Sequence, residues 1–246
     1  MISPEWPRQI PTRFLQGKSG QLYAARVVIL VFVVTALASY FLGSIPSGYL
    51  AGRARGMDIR TQGSGNIGAT NVFRILGRGL GITVLLADAL KGWCAVALIP
   101  GLTLRWFSPP AGSVPNLDYL SIVAGIAAVL GHNYTCWLQF KGGKGIATSA
   151  GVVAALLPQA LLISMAVWII VCLVTRYVSV ASIAAAFVLP FGAWYAGHGW
   201  AMVSVAALLG GMAIYKHKAN MKRLMAGTEN RLGRKVAPAA KAERKP

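Results

Sequence analysis

IATSAGVVAALLPQALLISMAVWIIVCLVT, Ile146 to Thr175, runs thirty residues without a charged side chain and carries one proline, Pro158, near its middle. A membrane-spanning helix needs about 20 apolar residues, and a proline inside a helix removes one ladder hydrogen bond and clashes with the preceding turn. The run is therefore either one long tilted crossing or two crossings divided at Pro158. That choice decides which side of a membrane every polar segment faces.

On either side of this run the apolar pattern recurs. Residues 26–51, 80–104, 118–138, 178–197 and 199–215 read as further spans, the second interrupted by Asp88 and Lys91. Residues 1–25 are polar, hold three prolines and read as an N-terminal extension. Residues 26–217 form the membrane domain, and 218–246 a basic tail. The chain is 56% hydrophobic and only 12% charged, with a mean hydropathy of +0.59. Soluble domains carry roughly 25% charged residues, so this is a membrane composition. Gly48 and Gly52 form a small-xxx-small pair suited to close packing.

Six acids stand against 24 Lys and Arg, a net charge of +18. In a soluble chain that imbalance would suggest nucleic acid. Here the basic residues lie between and after apolar segments, with no interleaved aromatics, so nucleic acid is not the expected partner. Topology, anionic lipid and an anionic substrate are. Cys94, Cys136 and Cys172 show no CxxC spacing, and their odd number argues against a disulfide framework.

Arg53, Arg55, Arg60, Arg74 and Arg78 occupy the first polar loop, Lys141 and Lys144 the second, and ten Lys/Arg lie from Lys216 onward. The positive-inside rule places all three in the cytoplasm. The second loop and the tail share a side only if an even number of crossings separates them, which requires a break at Pro158. The expected architecture is all-α: a polytopic bundle of seven transmembrane helices, N-terminus outside and C-terminus inside. Its short first half, 146–157, needs shielding by protein. An unbroken helix, giving six spans, is the alternative.

The first loop contains GSGNIGATNVFR, Gly63–Arg74. Its formal GxGxxG is not a dinucleotide fingerprint, because no strand precedes it. Gly63, Gly65 and Gly68 instead let backbone amides approach an anion, and a helix beginning near Ile67 aims its positive end at it. Ser64 and Asn66 are candidate caps. Asn71 and Arg74 share a helix face, with Arg74 able to grip phosphate bidentately. The second loop contains FKGGKGIATS, Phe140–Ser149. Gly142, Gly143 and Gly145 surround the cation of Lys144, and a second helix N-terminus follows. In YKHKAN, His217 and Asn220 lie one turn apart at the end of the last span. Asp88 and Lys91, at i,i+3, can pair within the membrane, which lowers the cost of burying either.

There is no HxxxxD or GxSxG signature and no cluster with metal-ligand spacing. Neither a metal nor a cofactor is expected. The site is made of cations, amides and hydroxyls, and suits anion binding and electrostatic stabilisation.

The combination of GSGNIGATN–VFR, DALKG, GHNY, FKGGKG and RYVS resembles the bacterial acyl-phosphate:glycerol-3-phosphate acyltransferase (PlsY) family, from about Leu42 to Arg231. The resemblance implies transfer of a fatty acyl group from acyl-phosphate, not acyl-CoA or acyl carrier protein, to glycerol 3-phosphate. The products would be lysophosphatidic acid and inorganic phosphate, in the first step of bacterial phospholipid synthesis. It also implies seven helices in the inner membrane, a cytoplasmic site and lipid as the surrounding partner, with a monomer sufficing. Carried over by position, Ser64, Arg74 and Lys144 bind phosphate. Asn66 and Asn71 shape the site beside Gly65, and Gly142 and Gly143 offer amides. Ser179, His217 and Asn220 contact phosphates or glycerol hydroxyls. With no evident protein base in the family, a substrate phosphate would accept the hydroxyl proton. Ala219 departs from the family pattern, which often has an acid there. A transporter or channel for a phosphorylated anion is the competing function, although no internal repeat supports it. A lipid-binding scaffold is a weaker one.

Overall fold

A computed structural model describes residues 17–233, and within them the chain is all helical, without strands. Helix α1 spans Lys18–Ser44 and α2 Ser47–Arg53. The first span was expected as one helix over 26–51, and it differs at both ends. It starts at Lys18, because Gln21, Leu22, Ala24 and Ala25 are good helix formers and no proline follows Gly17. It breaks at Ile45–Pro46, because Pro46 has no N–H to continue the ladder. Residues 1–16 of the expected polar extension, and the tail beyond Gly233, lie outside the described residues.

Helix α3, Ala69–Leu76, buries Asn71 and Val72 on one face. The second span is α4, Arg78–Ala97, continued after a kink at Leu98 by α5, Ile99–Phe107, with Pro100 in its first turn. Helix α6 covers Leu117–Asn133, capped by Asn116, whose Oδ1 accepts the Asp118 N–H at 2.7 Å. The Ile146–Thr175 run is broken: α7 is Ile146–Leu156 and α8 Pro158–Thr175, with Pro158 as the first residue of the new helix. Helices α9, Val178–Tyr195, and α10, Trp200–Lys216, complete the apolar set, and α11, Lys218–Met225, is short and basic. Five helical stretches are long and apolar enough to cross a membrane, and α7 and α10 are shorter apolar helices.

Small residues bring the helices together. A Cβ at Gly43 of α1 would strike the backbone of Ala128 in α6, and one at Gly131 would strike the Tyr40 carbonyl in return. Helix α7 lies on α4 in the same manner, with Gly151 against Ala89 and Gly92 against Thr148, and this covers one side of the short helix. Gly48 and Gly52 also permit close approach, but to the polar loop at Ile67 and Ile59 rather than to another span.

Helix α9 packs on both α8 and α10, and these three meet α4, α6 and α7 mainly through one apolar cluster that includes Val96, Val129, Val153, Leu157, Leu189, Val205 and Leu209. Towards the α6–α7 loop and the end of α10 the two groups diverge and leave a cavity. Of the cysteines, Cys172 is buried and Cys94 and Cys136 are half-buried, all of them free.

Gly131→Val should destabilise the α1–α6 contact by about 1–3 kcal/mol, as overpacking does. A thermal melt in detergent checks it: the midpoint should drop by several degrees relative to Gly211→Val, where no heavy atom lies within 4 Å of the added Cβ.

Candidate functional site

Two adjoining cavities occupy the divergence. One, of about 310 Å³, is lined mostly by apolar side chains of α4 and α7–α10, including Leu85, Val153, Met165, Trp168, Leu189 and Leu209. At its polar end stand Ser64, Asn66, Asn71, Arg74, Lys144, Ser179, His217 and Asn220. The other, of about 180 Å³, is lined by Ser64, Gly65, Asn66, Gly142, Gly143 and Lys144, together with Lys216, Asn220 and Arg223. Ser64, Asn66, Lys144 and Asn220 belong to both walls. All candidate residues named from the sequence thus converge, although they come from four separate segments.

The first segment is held by Asn71. Its Oδ1 accepts the Ser64 N–H at 3.0 Å, and its Nδ2 donates to the carbonyls of Ile59 (3.3 Å) and Gln62 (3.0 Å). Asn71 is 1% exposed, so this amide braces the loop from inside. Asn66 accepts from the Gly68 N–H at 2.8 Å, closing the turn ahead of α3. Neither Ser64 nor Asn66 caps the helix itself. Helix α3 starts at Ala69 with Gly68 as its N-cap and no side-chain bond, and Gly68, Ala69 and Thr70 line the cavity. An uncapped N-terminus presents free amides and the positive end of the helix dipole.

The second segment supplies the same device. Gly145, at φ +78°, turns the chain into α7, again without a side-chain cap, and Ile146 and Ala147 face the cavity. The glycines ahead of it are explained by close approach: a Cβ at Gly142 would strike the His132 carbonyl, and one at Gly143 the His132 ring. The Gly143 N–H donates to that carbonyl at 3.0 Å.

Sequence reasoning missed the anchor of the remaining segments. Glu229, whose side chain is 4% exposed, accepts from Ser179 Oγ (3.0 Å) and Asn220 Nδ2 (2.6 Å) through Oε1, and from Arg223 Nε (2.7 Å) through Oε2. Burial by itself would raise this carboxyl, but these bonds outweigh it and hold the group below its usual range. A lone acid within a strongly basic stretch was the available signal. Lys216 was also missed: it donates to the Asn133 carbonyl at 2.9 Å and lies over the Tyr134 ring.

Burial pushes the Lys144 ammonium down to about 8; Glu229 partly opposes this, while Arg223, Arg74 and Lys216 add to it. Burial likewise lowers Arg74, whose Nη2 lies 3.5 Å from the Asn230 carbonyl. Burial pushes His217 down to about 4, against the contact of its Nδ1 with the Ala213 carbonyl at 2.8 Å. A carbonyl can only accept, so Nδ1 carries the proton and Nε2 keeps its lone pair. No group of acidic, histidine and cysteine side chains suited to a metal occurs among the described residues.

A helical membrane bundle with uncapped helix ends and clustered cations at the polar end of an apolar cavity defines the class, an integral membrane protein. The family description "Glycerol-3-phosphate acyltransferase" matches residues 33–227. Glycerol-3-phosphate acyltransferases from Desulforudis audaxviator (46% identical, covering 85% of this chain and 97% of the relative) and Geotalea daltonii (42%, 80% and 96%) are similar along nearly their whole length. The crystal structure of PlsY, an integral membrane glycerol 3-phosphate acyltransferase, in its glycerol 3-phosphate form, matches with a TM-score of 0.71 at 38% identity, over 82% of this chain and 96% of that one. Its lysophosphatidic acid form matches with a TM-score of 0.68. The chain belongs to the glycerol-3-phosphate acyltransferase family, of PlsY type, and is a multi-pass membrane protein of lipid biosynthesis.

Asn71→Ala should cost about 1–3 kcal/mol, because it leaves the part-buried Ser64 N–H without its acceptor and removes one of the two donors at each of the Ile59 and Gln62 carbonyls. The melting midpoint of the purified variant checks this.

Proposed function

We propose that this chain transfers a fatty acyl group from acyl-phosphate to the 1-hydroxyl of glycerol 3-phosphate, releasing lysophosphatidic acid and inorganic phosphate. The observation that carries the reading is the junction of an apolar cavity with a cationic one at Ser64, Asn66, Lys144 and Asn220. An acyl chain fits the first and a phosphate-bearing polyol the second, so the acyl carbon and the hydroxyl meet at the shared wall. The resemblance of the motifs, and the glycerol 3-phosphate and lysophosphatidic acid forms of the PlsY structure, agree with it.

Acyl-phosphate is already an activated mixed anhydride, so no protein nucleophile is required. The hydroxyl oxygen attacks the acyl carbon, and the bond from that carbon to the phosphate oxygen breaks. The departing phosphate carries away the negative charge and accepts the hydroxyl proton. The protein's task is to bring two mutually repelling anions together and orient the hydroxyl. Arg74, Lys144 and the N-terminal amides of α3 and α7 neutralise phosphate charge. Gly65, Gly142 and Gly143 keep side chains clear of an incoming phosphate; the Gly65 and Gly143 N–H groups, expected from the sequence to meet the anion, instead donate to the Gln62 and His132 carbonyls, which leaves Gly142 as the loop amide for it. Neutral His217 can accept a hydrogen bond at Nε2 from a glycerol hydroxyl, while Glu229 sets Ser179 and Asn220.

The same reading includes seven spans, N-terminus outside and C-terminus inside. It places the site on the cytoplasmic face of the bacterial inner membrane, with a monomer as the working unit. The break at Pro158, and α7 and α10 as shorter apolar helices beside five longer stretches, support that count.

Purified protein should make lysophosphatidic acid from glycerol 3-phosphate and palmitoyl-phosphate but not from palmitoyl-CoA. No product from the acyl-phosphate, with uptake of labelled glycerol 3-phosphate by reconstituted vesicles, would favour transport instead. Arg74→Ala and Lys144→Ala should each lower kcat/KM by about 100-fold or more without loss of fold. Lys144 must be protonated to attract phosphate, and its value of about 8 is below that of an ordinary lysine. The pH profile of kcat/KM should therefore fall about tenfold per pH unit above 8. Lys144→Arg, which keeps its charge, should remove that alkaline limb.

A further inference from the structure

The mechanism above makes no use of Asp88, Lys91 and His132, which form a buried polar group inside the membrane region. Lys91 Nζ lies 2.8 Å from Asp88 Oδ1 and donates to the Ile45 carbonyl at 2.7 Å. The two side chains are 5% and 2% exposed. His132 Nδ1 stands 3.6 Å from the same carboxylate oxygen, and both Asp88 and His132 line the apolar cavity near Lys144. His132 holds the glycine turn twice. Its carbonyl accepts the Gly143 N–H at 3.0 Å, and its ring backs Gly143 so closely that no side chain fits between them.

We infer that Asp88 is a positioning residue for the phosphate site: fixed by Lys91, it holds the His132 ring against the Gly142–Gly143 turn and so sets the Gly142 amide and Lys144 at the polar cavity. A charged pair that only cemented helices would need neither the histidine nor contact with the cavity. At 3.6 Å, beyond hydrogen-bond length, the carboxylate still attracts the N–H edge of the ring in this desolvated setting. The ring has little room to turn, because Gly143 fills its other side. Lys91 extends the chain of contacts to the end of α1, since it donates to Ile45, one of the carbonyls that the break before Pro46 takes out of the helix ladder. The glycine turn is thereby referenced to three helices at once.

This inference rests on the acyl-transfer reading, and the test separates the two. Full-length wild type, Asp88→Asn, His132→Gln and the double variant are assayed in lipid nanodiscs with glycerol 3-phosphate and palmitoyl-phosphate, beside thermal melts. Because Asp88→Asn leaves the Lys91 ammonium without its counter-ion, Asp88→Asn/Lys91→Gln is run in parallel; His132→Gln changes no fixed charge. The expected result is a KM for glycerol 3-phosphate raised about tenfold or more in each variant. The KM for palmitoyl-phosphate should be unchanged and kcat should stay within about threefold. The Asp88→Asn/His132→Gln double should be no worse than its more damaged parent, since the two act on one path. Folded variants with a wild-type KM for glycerol 3-phosphate, or a double whose losses multiply, would overturn the positioning role. A wild type that makes no lysophosphatidic acid would overturn the acyl-transfer reading itself.

Discussion

Within a bilayer, a backbone carbonyl uncovered by a helix break must find its donor in the protein, because neither water nor lipid tails supply one. The break at Pro46 uncovers Ser44 and Ile45. The Ser44 carbonyl accepts Thr135 Oγ1 at 2.6 Å, from the loop after α6, and the Ile45 carbonyl accepts Lys91 Nζ from α4. One proline therefore ties the end of α1 to α4 and to the loop after α6. It also turns the chain out of the membrane through α2 into the loop that carries Ser64. The site's first wall depends on this break, and so does the placement of the buried Asp88–Lys91 pair.

The site itself is an exercise in accumulating positive potential without losing it to repulsion. Lys144, Lys216 and Arg223 line the polar cavity, and Arg74 stands beside the acid Glu229 at the polar end of the apolar one. The crowding shows in Lys144, which burial and neighbouring cations hold near 8. Helix N-termini add positive potential without adding formal charge, and both α3 and α7 leave theirs uncapped at the cavity. A side-chain cap, so common at helix starts elsewhere, would here occupy amides that a phosphate can take.

Glycine serves two different needs in this fold. At Gly43, Gly131 and Gly151 it lets helices approach within the membrane, where packing rather than water drives association. At Gly142 and Gly143 it lets a loop lie directly on the end of α6, which is why the motif is denser in glycine than a turn requires. In the sequence the two uses look alike. They are told apart only by what a side chain would strike.

Much was legible in the sequence because it is written locally. Hydropathy marks the spans, proline marks the break at Pro158, and basic glycine-rich loops mark the anion site. The motif residues from Ser64 to Asn220 were all named before their convergence could be seen. What the sequence did not show depends on partners far along the chain. The single span expected over 26–51 runs through Pro46; the break there leaves the Ile45 carbonyl to a donor, Lys91, that lies 46 positions away. Glu229 is a single acid in a basic stretch of sequence, and its donor Ser179 lies 50 positions earlier. The sequence by itself determined a multi-spanning membrane chain with basic, glycine-rich loops, since hydrophobicity, charge and glycine act through near neighbours. Only the tertiary structure decided which buried polar groups satisfy one another, because the cost of leaving each unpaired is met by groups that folding alone brings together.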